Sequence, residues 1–360
     1  MKLRDRNDAG RQDRLSWAFS NSSVYVTSFA IIFLSWLNEF SPGKIRVDGL
    51  FASVLLLAFG NIVRAIDTGS ILAYLGIGIF LGAAYLVKSP GFVIALLSFM
   101  LLAFVLHRDG QLKSSAWKLA SATIVFLVVC APYIAALTLQ KHRLDLGDSA
   151  RLNYAWCVDG TEPEHLLNNQ IARFGDSKVN LKHPQTELMS HPIVLSFDHD
   201  QDATYPPWFD PSYFNEGIAP RFDPRRQISV IMHQSRHLLL FVVRHGYVFI
   251  LFILCLAVSA RAPSRRQLRN LLMLFGSLFA FCAVMYLSVK FLDRYIAALF
   301  WPACISAFAL LTIDKPGKRD MISGAAAFMA LAILASGVQN VIRMRESAIF
   351  SGKQHGWYSV

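Results

Sequence analysis

Nine apolar stretches of membrane length run through this sequence, at about 22–40, 48–66, 70–87, 91–107, 117–137, 237–260, 267–289, 293–313 and 321–342. Each is close to the ~20 residues that an α-helix needs to cross the hydrocarbon core. That leaves the chain few folds. In lipid every backbone polar group must be satisfied within the spanning structure, and a helix does this by itself. The pattern predicts an all-α polytopic membrane protein with about nine transmembrane helices. Composition agrees: 54% of residues are hydrophobic, 16% are charged, and the mean hydropathy is +0.41.

One long segment breaks the pattern. Residues 139–236 hold thirteen of the 24 acidic residues and eight of the 14 prolines. So polar a segment cannot lie in hydrocarbon. It is expected to form a water-facing loop domain between a five-helix membrane region, 22–138, and a four-helix region, 237–342. The prolines predict an irregular fold with little helix. Its apolar residues, such as Trp156, Leu166, Ile193 and Trp208, make a core too small to be secure alone. Its last stretch mixes Arg225, Arg226 and Arg236 with Ile228, Val230, Ile231 and Met232, the pattern of an amphipathic helix on a membrane surface.

The net charge of +11 does not point to nucleic acid, because the basic residues cluster in short connections between spans. With the N-terminus inside, the inner connections and the basic tail at 1–21 hold sixteen Lys and Arg. The short outer turns and the tail at 343–360 hold eight. This bias places the N-terminus in the cytoplasm and the loop domain and C-terminal tail outside. The tail at 1–21 is charged and does not read as a signal peptide. Four of the five cysteines lie in spans and Cys157 is alone in the loop, so no disulfide framework or thiol metal site is expected. Gly78 and Gly82 form a small-xxx-small pair suited to close helix packing.

Three groups of residues could carry chemistry. Lys88, Lys290, Arg294 and Tyr295 fall in outer turns, where Lys and Arg should be scarce. Tyr286 stands four residues before Lys290, on the same face if the helix continues. Arg can hold a phosphate bidentately and Lys can add a point charge. The alternative is snorkelling to ordinary lipid headgroups. The second group is Tyr205, Trp208, Asp210 and Tyr213, in a Pro-rich run where aromatic rings alternate with polar groups. It suits a sugar ring, or else anchors the loop. The third is metal. Asp198, Asp200 and Asp202 could hold a divalent cation but lack the glycine and distant Glu of a calcium loop, so a solvated turn is expected and no cofactor. His233 and His237 could share a helix face, without the Glu of a zinc-protease motif.

At Gly82-Ala-Ala-Tyr85-Leu-Val-Lys88-Ser-Pro-Gly91 and Asp293-Arg294-Tyr295-Ile-Ala-Ala-Leu the chain resembles the GT-C membrane glycosyltransferases. The nearest branch is the protein O-mannosyltransferase and aminoarabinose-transferase-like group. The resemblance covers about 45–310. It implies a multi-pass protein of the bacterial inner membrane that transfers a sugar from a polyprenyl-phosphate donor on the outer face. It implies that Lys88 contacts the lipid phosphate and that Arg294 and Tyr295 lie close to it. The family's essential acid sits in a long first outer loop. Here the first outer connection, 41–47, is a short turn without an acid. Glu39 and Asp48 flank it outside the family's context. The family's first spans and catalytic loop are therefore expected to be missing from this chain, or catalysis lost, and no catalytic residue is assigned. The alternatives are a non-catalytic membrane protein, a remnant or partner subunit that binds lipid phosphate or glycan, and a transporter or flippase. The transporter is disfavoured because few charges fall within the spans.

Overall fold

The computed structural model describes residues 16–17, 47–147, 149–159, 185–190, 193–197, 221–246, 248, 250, 252–253, 266–309 and 312–313. In chain order the elements are β1 (Ser16–Trp17), α1 (Asp48–Thr68), α2 (Ile71–Val87), α3 (Pro90–Arg108), α4 (Leu112–Lys141) and α5 (Ser149–Tyr154). A π-helical turn (Ala155–Asp159) follows, then β2 (Gln185–Ser190), β3 (Ile193–Phe197), α6 (Pro224–Arg244), α7 (Arg266–Leu287), α8 (Asp293–Ala309) and β4 (Thr312–Ile313). Helices hold 85% of the described residues, so the class is helical. The two short antiparallel pairs, β1 with β4 and β2 with β3, correct the expectation of a purely α chain.

Among the described residues four helices are long and apolar enough to cross a membrane: Asp48–Thr68, Pro90–Arg108, Leu112–Leu139 and Leu268–Leu287. Helix α2 is apolar but has 17 residues, about 26 Å of helix against a hydrocarbon core of about 30 Å. The expected spans at 22–40 and 321–342 lie outside the described residues.

The chain divides into two compact units. The first gathers Met1–Cys130, Leu239–Ala283 and Leu292–Val360, and the second Ala131–Leu238 and Val284–Phe291. In the first, Gly69 and Ser70 are all that joins α1 to α2, which forces the two helices antiparallel. Gly69 ends α1 in the left-handed region (φ 62°), where a side chain is costly, and donates to the Ala65 carbonyl. The Lys118 ammonium donates to the Gly69 carbonyl at 2.7 Å, meeting the negative end of α1.

Helix α2 packs on α4 through its small residues, as the Gly78 and Gly82 pattern predicts. A methyl at Gly78 would strike the Ala122 carbonyl, and one at Gly82 would lie 2.7 Å from Val129 Cγ1. Leu55, Ile62, Ile77, Leu81, Ile94 and Leu102 fill the core. The outer faces stay apolar and open, with Leu50, Leu72, Met100 and Val128 exposed. In water such faces would be an aggregation hazard, and in lipid they are the required surface.

In the second unit, α6 is helical where the amphipathic pattern predicts. Gln227 donates to the Ser288 carbonyl at 2.6 Å, and Gln234 accepts from the Phe291 N–H at 3.0 Å. These contacts fix one face, while Ile228, Ile231 and Met232 stay exposed. One expectation needs correcting. No new helix opens at His237: α6 runs unbroken to Arg244 and turns at His245. Likewise α4 begins at Leu112 and extends to Lys141, past both expected limits of its span, because nothing before Lys141 caps or breaks it and Pro132 is absorbed within it. Burial pushes the Cys157 thiol up from its ordinary value, and the Lys290 charge pulls part of the way back.

Two outcomes follow from this packing. Gly78→Ala should destabilise the protein by about 1–3 kcal/mol through overpacking, read as a lower Tm in detergent. Gly60→Ala, where an added methyl meets nothing within 4 Å, should not lower it. Thiolate is the reactive form, so Cys157 should alkylate more slowly than a free thiol at pH 8. Lys290→Ala should slow it further, because the one cause that lowers its pKa is removed. Mass spectrometry of the modified peptide measures both rates.

Candidate functional site: an acidic bridge between two cations

Lys88 owes its place to the turn between α2 and α3. Helix α2 ends at Val87, and Lys88 leaves it in an extended conformation (φ −158°, ψ 130°). Pro90 opens α3 at a position where its missing N–H costs nothing. Gly91 lets the new helix fold back closely, since a Cβ there would lie 2.6 Å from the Ala84 carbonyl carbon. The Lys-Ser-Pro-Gly sequence is therefore a tight reversal that sets one ammonium at a helix end.

Three other helix ends lie at that same level. Since α2 runs antiparallel to α1, the end of α2 meets the start of α1, at Asp48. Helix α3 starts there too, and α8 packs on α1 with Arg294 and Tyr295 in its first turn. Asp48 is buried. Lys88 Nζ donates to Asp48 Oδ1 at 2.5 Å, and Arg294 Nε lies 2.9 Å from Asp48 Oδ2. The Lys88 ammonium sits 3.8 Å from the centre of the Tyr295 ring, and the Arg294 guanidinium 5.2 Å from it.

The chemistry of this cluster follows from its charges and open donors. Two cations share one carboxylate, so the three groups in contact carry a net charge of +1. The Arg294 Nε–H is not aimed at the carboxylate, so that contact is an ion pair without a good hydrogen bond. Among the described residues neither Nη nitrogen of Arg294 has a partner, and Lys88 keeps two further N–H groups. The Lys88 and Arg294 side chains are 22% and 26% exposed against 7% for Asp48, so the cations face outward and the carboxylate lies behind them. An arginine fork beside a lysine suits an anionic oxygen cluster such as a phosphate.

The sequence brought forward Lys88, Arg294 and Tyr295, and the structure joins them across some 200 residues of chain. It missed the role of Asp48. A signal was present: a carboxylate opening an apolar helix needs a partner, and the cations at 88 and 294 were expected on the same side of the membrane. Lys290 belongs to the second unit, where it is exposed. Its expected alignment with Tyr286 fails because α7 ends at Leu287, and the chain turns before Lys290. Tyr205, Trp208, Asp210 and Tyr213 lie outside the described residues, as do Asp198, Asp200 and Asp202. His233 and His237 do share a helix face, with ring centres 5.4 Å apart. Among the described residues no third His, Cys, Asp or Glu completes a metal site with them.

No protein family, curated protein or solved structure matches the chain at a significant level.

The bridge makes an energetic prediction. In a double-mutant cycle of Asp48→Asn and Lys88→Met, chemical unfolding in mixed micelles should give a coupling of about 1–3 kcal/mol. That is less than for a fully buried pair, because Lys88 is partly solvated. Additive effects would mean that the two charges do not stabilise one another.

Proposed function

We propose that this is a GT-C-like membrane glycosyltransferase that takes its sugar from a polyprenyl-phosphate donor at the outer face of a bacterial inner membrane. The convergence of Lys88, Arg294 and Tyr295 carries the reading. The two fragments that resemble the family, 82–91 and 293–299, meet at one point and present open phosphate-binding donors there. The proposed frame is nine spans with the N-terminus inside and the 139–236 domain outside. It draws support from the clustering of Arg108, Lys113, Lys118, Arg266 and Arg269 towards the opposite helix ends from Asp48. Tyr205, Trp208, Asp210 and Tyr213 are the proposed sugar or acceptor platform.

In the proposed reaction the acceptor hydroxyl oxygen attacks the anomeric carbon. The bond from that carbon to the phosphate oxygen breaks, and the lipid phosphate leaves with the electron pair. The hydroxyl proton passes to a carboxylate base. Lys88 and Arg294 hold the phosphate of the donor in place for the attack.

One observation favours a second reading, a lipid-phosphate binder without catalysis. Asp48, the carboxylate in contact with the two cations, is engaged in both ion pairs and lies buried behind them. A binding measurement tests the shared claim, and a transfer assay separates the two readings. In nanodiscs, Lys88→Ala should weaken polyprenyl-phosphate binding about tenfold or more, the loss of a charge-assisted contact worth roughly 1.5–3 kcal/mol. Lys113→Ala should change it little. Equal effects would overturn the phosphate site. Binding without sugar transfer to any acceptor would leave the non-catalytic reading.

A further inference from the structure

We infer that Asp48 sets the charge selectivity of this site, so that it takes a singly charged phosphodiester in preference to a doubly charged phosphomonoester. The inference rests on the phosphate reading of Lys88 and Arg294 and deepens it. Asp48 occupies one donor of Lys88 and the Nε side of Arg294. The Nη edge of Arg294 and the other Lys88 donors remain for a second anion. A ligand phosphate can therefore join the cluster without displacing the carboxylate.

The charge count then decides which phosphate fits. The +1 of the cluster is cancelled by one negative charge. A second charge on the ligand would stand uncompensated beside the Asp48 carboxylate, in a part-buried site where unpaired charge is costly. Desolvation sharpens the difference, since taking a dianion out of water costs far more than taking a monoanion. Asp293 adds its charge in the first turn of α8, where the positive end of the helix offsets about half of it, and the remainder also works against a second ligand charge. Tyr295 lies beneath the ammonium as a neutral ring and does not alter the count. In a transfer reaction the donor is the diester and the spent carrier is the monoester. A site balanced for one charge would hold the donor and release the spent carrier.

The test uses the full chain in nanodiscs and two short-chain isoprenoid probes, a phosphomonoester and its methyl phosphodiester. At pH 8 the wild type should bind the diester about tenfold or more tightly than the monoester. Asp48→Asn should shrink or reverse that ratio, chiefly by tightening the monoester. Should Asp48→Asn fail to fold, the wild type alone still decides. A phosphomonoester dianion takes up one proton near pH 6 and becomes a monoanion, while the diester keeps one charge throughout. The preference should therefore fade as pH falls from 8 to 5, through tighter monoester binding and with little change for the diester. Equal binding of both probes at pH 8, or a ratio that Asp48→Asn and pH leave unmoved, overturns the charge selectivity and leaves the phosphate site standing. Failure of the wild type to bind either probe overturns both.

Discussion

The buried carboxylate of Asp48 is the constraint on which the Lys88 and Arg294 end of the first unit depends. A charge placed at the start of an apolar helix must find a partner or carry a large desolvation penalty. Asp48 finds two, one on the turn after α2 and one on α8. Those contacts tie together helix ends far apart in sequence. They also limit the geometry, because the turn after α2 has to reverse tightly enough to hold Lys88 against α1. Gly91 provides that closeness and Pro90 fixes where the next helix begins.

The same feature gives the site its chemical character. Two cations beside one carboxylate form a cluster that is charged but not strongly so. Lys88 and Arg294 would otherwise repel one another across the Tyr295 ring. With Asp48 between and behind them, they sit close together and still present open donors outward. The cations are thus held in place by the protein itself, and their hydrogen-bond donors are not all consumed in holding them.

The rest of the first unit serves this arrangement through packing. Small residues let α2 approach α4, with no room for even a methyl group at Gly78. The outward faces are apolar because they meet lipid. At the other helix ends Lys118 reaches the Gly69 carbonyl, and Asn270 donates to Asp109 Oδ2 at 2.5 Å. The polar contacts of these helices are thus concentrated at their ends, where side chains can still reach water or a headgroup.

Much of this was legible in the sequence for simple physical reasons. Helices α1, α3, α4 and α7 could be read directly, since lipid demands long apolar helices and the apolar runs show where they lie. The glycine contacts and the amphipathic face of α6 followed from helical periodicity. Lys88 and Arg294 stood out as cations where cations should be scarce. Sequence could not show that α6 runs on past His237 to Arg244, or that α7 stops short of Lys290, because helix ends answer to local contacts and not to apolar length. Nor could it show that Asp48 pairs with both cations. Periodicity assigns a residue to a face or an end of its own helix, but it does not say which helices become neighbours. That choice belongs to tertiary packing, and packing turned two separate motifs and an overlooked carboxylate into one site.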